Sequence, residues 1–297
     1  MANAKIVLNH QPANTTEFRN LGLLTSNALA SVGLVKTSDT GTIDWSTVNI
    51  PGASTIAGYE IWRFNDTHQS TTPIFIKLGY GVYNPNGHMW MTVSIGTGTN
   101  GSLGLLNATA TFNLAYAISS NYNDASPKTT AISSDGSGLY FSHIIDGGPP
   151  SNSYPARGRI VVDRYRNLDG SASPNGVMIL HTSNSSGVTA YSWDRVNNIL
   201  YSNSPQSLMP YPALYNTSTR QNNGSVPLGL FYTLVPAVGI YRSKMVVTVP
   251  AADFGAFAQI QATHLGATRT FMAHGVYDPY WDAAAQATVS NAQWWSD

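Results

Sequence analysis

Residues 59–106 read YEIWRFNDTHQSTTPIFIKLGYGVYNPNGHMWMTVSIGTGTNGSLGLL, and three runs in this stretch alternate with period two. In the first, Glu60, Trp62 and Phe64 share one face, with Tyr59, Ile61 and Arg63 opposite. In the second, Ile74, Ile76, Leu78, Tyr80 and Val82 line one face, with Phe75, Lys77 and Gly79 opposite. In the third, Met89, Met91, Val93 and Ile95 line one face, with Trp90, Thr92 and Ser94 opposite. Successive side chains of a strand point to opposite faces, so alternation over runs this short marks half-buried antiparallel strands. The connectors NDTHQSTTP, NPNG and GTGTNG are built from turn-forming residues. The stretch predicts a three-stranded meander, with a fourth strand after the glycines. It makes a sheet and suggests no catalytic centre.

On the N-terminal side, KIVLN predicts a short strand and Gln11-Pro12 a loop. Thr15 or Thr16 is the expected cap of a helix from Glu17. Phe18, Leu21, Leu24, Ala28, Leu29 and Val32 then recur every three or four residues, and Gly33 ends the run. Residues 37–42 form a turn cluster, and 43–50 read as an edge strand broken by Pro51. On the C-terminal side, strands are expected within 108–119, 134–146, 159–165 and 177–183. A further pair is expected over 187–201, turning at Asn197-Asn198. The stretch 227–240 is apolar, and 244–250 is a strand candidate. Near the end, Asp278 and Pro279 have the chemistry of a helix N-cap and first turn. Trp281, Ala285, Thr288, Ala292 and Trp295 follow at helical spacing. Trp281, Trp294 and Trp295 are candidate subunit-interface anchors, since Trp is enriched in such positions. The fold class expected is mainly β: an antiparallel β-sandwich or a sheet-rich α+β domain with a helix near each terminus. One domain over 1–297 is expected, with a possible subdivision in the Pro- and Gly-rich segment 147–158.

Three segments carry a family resemblance. EIWRFND, PIFIKLGYG and HMWMTVSIGTGTNGSLG, in that order, resemble a family of virion structural proteins of tailed bacteriophages. Similar elements continue through RIVVDRYRNLDGSASPNGVMILHTS, so the likeness covers roughly 17–200. The resemblance implies a non-enzymatic subunit assembled into a virion inside the host cytoplasm. It implies a place in the tail, baseplate or neck, with other copies of itself and other virion proteins as partners. A capsid decoration role is the neighbouring alternative.

Composition is consistent with that expectation and narrows others. Charged residues are 10% of the chain, against roughly 25% in an average soluble protein. Lys+Arg and Asp+Glu number 15 each, so there is no basic excess of the kind that tracks a nucleic-acid backbone. Low charge with zero net charge limits solubility as a free monomer and suits a subunit packed among others. The chain has no cysteine, which excludes disulfides, thiolate metal sites and cysteine nucleophiles. Its first residues show no apolar run of signal-peptide length. No stretch approaches the roughly 20 apolar residues of a transmembrane helix. Folding in a cytoplasm is therefore expected.

Several residue patterns touch on chemistry. GTGTNG at 96–101 matches G-x-G-x-x-G, but that fingerprint needs a helix to start at the glycines, and the β-prone run SLGLLNATATF follows. A hairpin turn is expected. His274, Asp278 and Asp282 are spaced by four, yet Pro279 makes Asp278 a cap and spoils a metal-binding face. The remaining histidines are scattered. Asp163, Arg164 and Asp169 could offer general acid–base groups but read as solvated charges. Glu17 and Glu60 are the only glutamates. No G-x-S-x-G and no phosphate-binding Lys loop is present. No cofactor, metal or catalytic residue is expected. The N-x-[ST] sites at Asn107, Asn184 and Asn216 follow from composition. With 16 Tyr and 7 Trp on a polar, uncharged background, recognition of a host-surface glycan is the second functional expectation.

Overall fold

The computed structural model describes residues 2–8, 14–82, 89–115, 128–144, 157–182, 189–203, 229–235, 239–250, 259–264, 267–273 and 291–296. The fold is mainly β, with antiparallel sheets and, among the described residues, one α-helix near the N-terminus. The chain divides into two compact units, Met1–Val161 with Leu180–Val188, and Val162–Ile179 with Thr189–Asp297. Of the segment 147–158, where a subdivision was anticipated, residues 147–156 lie outside the described residues, and Arg157 and Gly158 begin a strand.

The first unit opens with β1 (Ala2–Leu8) and α1 (Thr15–Ser31). The helix is capped one residue earlier than the threonines suggest. Asn14 is extended, and its side-chain oxygen accepts the Glu17 N–H at 3.0 Å while its amide donates to Glu17 Oε1 at 3.2 Å. This is an asparagine N-cap that departs from the capping box in that Glu17 takes the Asn14 side-chain amide, not its backbone N–H. The helix ends at Val32, and Gly33 takes φ +95°, as the sequence implied. Its buried face carries Phe18, Leu21, Gly22, Thr25, Ser26, Ala28 and Leu29.

The meander follows as expected. After β2 (Val35–Lys36) come β3 (Thr55–Arg63), β4 (Phe75–Val82) and β5 (Met89–Gly96). A small hairpin, β6 (Gly98–Thr99) and β7 (Leu105–Leu106), precedes the fourth strand β8 (Phe112–Ala115). The sheet order is β2-β3-β4-β5-β8. Its inner face is the one read from the alternation: Trp62, Phe64, Ile74, Ile76, Leu78, Tyr80, Met91, Val93 and Ile95 are all buried. Ile61 is buried too, so the opposite face is partly covered.

Residues 43–50 do not form an edge strand. The Asp44 carboxylate takes the Ser46 N–H and the Ser46 and Thr47 hydroxyls at 2.6–2.9 Å, closing a turn that competes with extended pairing. Arg19 on α1 fastens this turn by donating to the Val48 and Thr47 carbonyls at 2.6 and 2.7 Å. The result is that Trp45 points into the core. Farther on, β9 (Lys128–Ser134) pairs with β1 on one side and β10 (Gly138–Ile144) on the other.

Strands β11 (Arg157–Arg166) and β12 (Ala172–Thr182) contribute their 162–179 portions to the second unit. A short turn joins them. Asp169 takes the N–H and hydroxyl of Ser171, Gly170 adopts φ +93°, and β12 begins at once. The same Asp-Gly-Ser device closes the 135–137 turn in the first unit, with Gly136 at φ +81°. β13 (Thr189–Asp194) and β14 (Ile199–Asn203) form the expected hairpin, with Asn198 at φ +54° in the turn. β15 (Gly229–Val235) pairs with β16 (Gly239–Pro250). β17 (Gln259–His264), β18 (Ala267–Ala273) and β19 (Asn291–Ser296) complete the order β16-β19-β18-β17.

The end of the chain corrects the helical reading. Trp294 and Trp295 lie on strand β19, between β16 and β18, with Trp294 opposite Val247 and Trp295 opposite Met272. Paired aromatics favour an extended, pleated backbone, and two flanking strands supply the ladder. The preceding part of that helix reading, with Trp281, lies outside the described residues.

Candidate functional site

The most developed polar constellation is centred on Glu60, whose side chain is completely buried. Strand β3 places it on the inner face beside Trp62, and the buried face of α1 brings up Ser26. Its Oε1 accepts from Ser26 Oγ at 2.9 Å, Lys36 Nζ at 3.1 Å and Trp45 Nε1 at 3.1 Å. Its Oε2 accepts from Trp62 Nε1 at 3.1 Å and Tyr80 Oη at 2.8 Å. The donors come from α1, β2, the Asp44 turn, β3 and β4. Lys36 also lies 5.7 Å above the Trp62 ring, and Trp45 packs edge-on against Tyr80 at 4.9 Å. Burial, then the Glu60 charge and hydrogen bond, push the Tyr80 hydroxyl well above its ordinary pKa, so it stays a neutral donor.

A carboxylate offers about four lone-pair positions. Five donors saturate it, which leaves no free site for proton transfer to a substrate. Chemically the cluster is a structural ion pair embedded in indole and phenol donors. Sequence reasoning passed over it, although the signal was present: Glu60 shares its face with Trp62 and Phe64, and a carboxylate on an apolar face requires partners.

A second anchor is Asp39. Its carboxylate accepts the Thr99 hydroxyl and the Leu103 N–H, the latter at 3.0 Å. Thr40 N–H donates to Gly101 O at 2.8 Å. These bonds tie the β6–β7 hairpin to the 37–42 turn. The glycine motif 96–101 is thus a hairpin, as expected, with Gly101 at φ +82° and Asn100 accepting the Ser102 and Gly104 N–H groups. Burial pushes the Asp39 carboxyl up, but hydrogen bonds from Thr99, Thr37 and Leu103 outweigh it and hold the group below its usual range.

The outer face of the same sheet differs in kind. Register sets Tyr59, Gly79, Thr92 and Asn113 in one row, Ile61, Lys77 and Ser94 in the next, and Gly81, Trp90 and Ala115 on the other side. Gly79 is required here: a Cβ would lie 2.4 Å from Thr92 Oγ1 and 2.9 Å from the Tyr59 ring. Lys77 Nζ stands 4.1 Å from the centre of that ring. Burial pushes the Lys77 amine below its ordinary pKa. Ser94 and Thr111 share a hydroxyl–hydroxyl bond of 2.9 Å.

Other residues singled out in the sequence fall apart in space or outside the described residues. Asp163 and Arg164 are fully buried on β11, not solvated, while Asp169 is exposed in its turn. The correction has a simple cause: both faces of β11 are covered, so alternation there does not separate core from solvent. His274, Asp278 and Asp282 lie outside the described residues, as do Asn184 and Asn216. Asn107 is exposed and donates to Thr97 Oγ1 at 3.0 Å. Among the described residues no group of three His, Asp or Glu side chains is placed to hold a metal ion.

No protein-family model matches the chain, and a search of curated proteins finds no relative.

Proposed function

We propose that this chain is a non-enzymatic structural subunit of a tailed-phage virion, built into the tail, baseplate or neck through packing against copies of itself and other virion proteins. The observation that carries the reading is the resemblance of residues 60–104, the stretch that forms β3, β4, β5 and the hairpin. Its most elaborate polar cluster, around Glu60, is saturated by donors and acts as a fastening. The second unit supplies apolar surface for neighbours. Leu168, Val196 and Ile240 are exposed at the corners of successive hairpins. Asn175 links these corners, accepting the Arg195 N–H at 2.9 Å and donating to Tyr241 Oη at 3.1 Å.

Light scattering on the purified chain over a concentration series tests the reading. Growth into a defined ring, trimer or larger assembly is expected. Because the contacts are apolar and neutral, raising salt well above about 0.1 M, where screening acts within ~10 Å, should change assembly little. A monomer at every concentration, or assembly abolished by moderate salt, would count against it.

A further inference from the structure

Among the described strand residues, the outer face of the β3–β4–β5–β8 sheet carries two cations and no carboxylate. The Lys36–Glu60 ion pair lies on the inner face. Lys77 is half-buried, and its ammonium stands over the Tyr59 ring. Arg63 is on the same face, opposite Phe75, which is two residues from Lys77 along β4. A partly buried ammonium held over an aromatic ring is stabilised by the ring quadrupole but gains no counter-charge from it. In a chain with 15 Lys+Arg in 297 residues, such a placement is not background.

The groups around these cations define the anion's chemistry. Trp90 is partly buried, with its indole nitrogen shielded from solvent, one strand over and roughly 13 Å along from Lys77 at about 3.3 Å per residue. Ser94, bonded to Thr111, lies across from Lys77, and Asn113 lies in the row between Lys77 and Trp90; Thr111 and Asn113 are exposed. An indole face, hydroxyls, an amide and a cation in one plane match a sugar ring, its hydroxyls and a carboxylate. A bare inorganic anion would use the cation alone, and an acidic peptide has no need of the indole.

We propose that this face binds an acidic saccharide, with its carboxylate on Lys77 and Arg63, a ring stacked on Trp90, and its hydroxyls on Ser94, Thr111 and Asn113. The site does not depend on the virion reading. A chain that assembles yet binds no acidic sugar leaves that reading standing and overturns this one.

The test is calorimetric titration of the full chain with three probes: tri-galacturonate, sialyllactose and an alginate trimer. Lactose and penta-glutamate serve as comparisons. Saturable binding of at least one acidic sugar is expected, at least tenfold tighter than lactose. Lys77→Met and Trp90→Ala should each weaken it tenfold or more. Lys77→Met keeps the apolar stem, so an unchanged melting temperature separates lost binding from lost fold. Failure of all three sugars overturns the proposal, as does binding unaffected by Lys77→Met. Equal binding of penta-glutamate that survives Trp90→Ala overturns it in favour of an acidic protein segment.

Discussion

Replacing Glu60 by glutamine keeps the shape of the central side chain and removes its charge. The wild-type carboxylate accepts from Ser26, Lys36, Trp45, Trp62 and Tyr80. A glutamine presents one carbonyl oxygen and one NH2 group. The hydroxyls of Ser26 and Tyr80 can rotate to accept from the amide; the indoles of Trp45 and Trp62 and the Lys36 ammonium cannot. The less costly orientation turns the NH2 toward Trp62 and Tyr80. That leaves the Trp62 N–H unsatisfied, at about 1–3 kcal/mol, and converts the bonds from Ser26, Lys36 and Trp45 from charge-assisted to neutral. Lys36 is 38% exposed, so its share of that loss is small, about 0–1 kcal/mol. The expected cost of Glu60→Gln is therefore about 2–4 kcal/mol. Glu60→Ala strands every donor and opens a cavity. That should cost more than about 5 kcal/mol, comparable to the whole stability of a marginal domain. Lys36→Met should cost less than Glu60→Gln, because four neutral donors remain on the carboxylate. Urea unfolding followed by circular dichroism and Trp fluorescence measures all three. A Glu60→Gln variant within about 0.5 kcal/mol of wild type, or Lys36→Met more damaging than Glu60→Gln, would refute the saturated-node account.

Gly22 in α1 is a second discriminating position. Helix propensity alone favours alanine by about 1 kcal/mol. A Cβ at Gly22, however, would lie 2.1 Å from the Trp45 ring, and overpacking costs about 1–3 kcal/mol, so Gly22→Ala should lower the urea midpoint. A raised midpoint would show that Trp45 does not occupy that space. Asp39 gives a pH test. Its folded pKa is depressed below 3.8, so its contribution is present above that value and is lost as pH falls through the folded pKa. Asp39→Asn should therefore flatten the loss of stability in strong acid relative to wild type. An identical pH profile in the variant would contradict the anchoring role.

The legible and illegible parts of the fold follow from how many faces each strand buries. In β4 and β5 one face is packed and the other carries Lys77, Gly79, Trp90 and Ser94, so period two identifies the core without ambiguity. The Asn197-Asn198 turn was equally plain, because it needs a left-handed residue. β11 resisted for the opposite reason: Val161, Val162, Asp163, Arg164 and Tyr165 are buried in succession. Segment 43–50 misled because its β-prone residues are overruled by a local competitor, the Asp44 carboxylate. The Trp294–Trp295 reading failed where a 3.6-residue spacing, drawn across 281–295, coincided with a strand at its far end. The Glu60 cluster was half-legible. Its face was assigned correctly, but Ser26 and Trp45 are 34 and 15 residues away and no spacing rule links them.

The placement of that single carboxylate explains why the meander adopts one register. Buried ion pairs are often no better for stability than apolar residues of the same volume, so stabilisation alone does not account for Glu60. Sliding β3 by one residue against β4 would turn Glu60 to the outer face and Tyr59 and Ile61 inward. An apolar residue at 60 would tolerate that shift, since Ile61 is itself buried and Tyr59 can fill a core position. Glu60 does not tolerate it, because the slip would carry it, together with Trp62, away from Ser26, Lys36, Trp45 and Tyr80 at once and leave the Trp45 indole N–H without its acceptor. The inner face is rich in interchangeable apolar side chains, and the flanking chain is rich in turns that allow slippage. Glu60 therefore contributes discrimination between registers, and it does so through donors from α1, β2, the Asp44 turn and β4, which locks the order in which those elements pack.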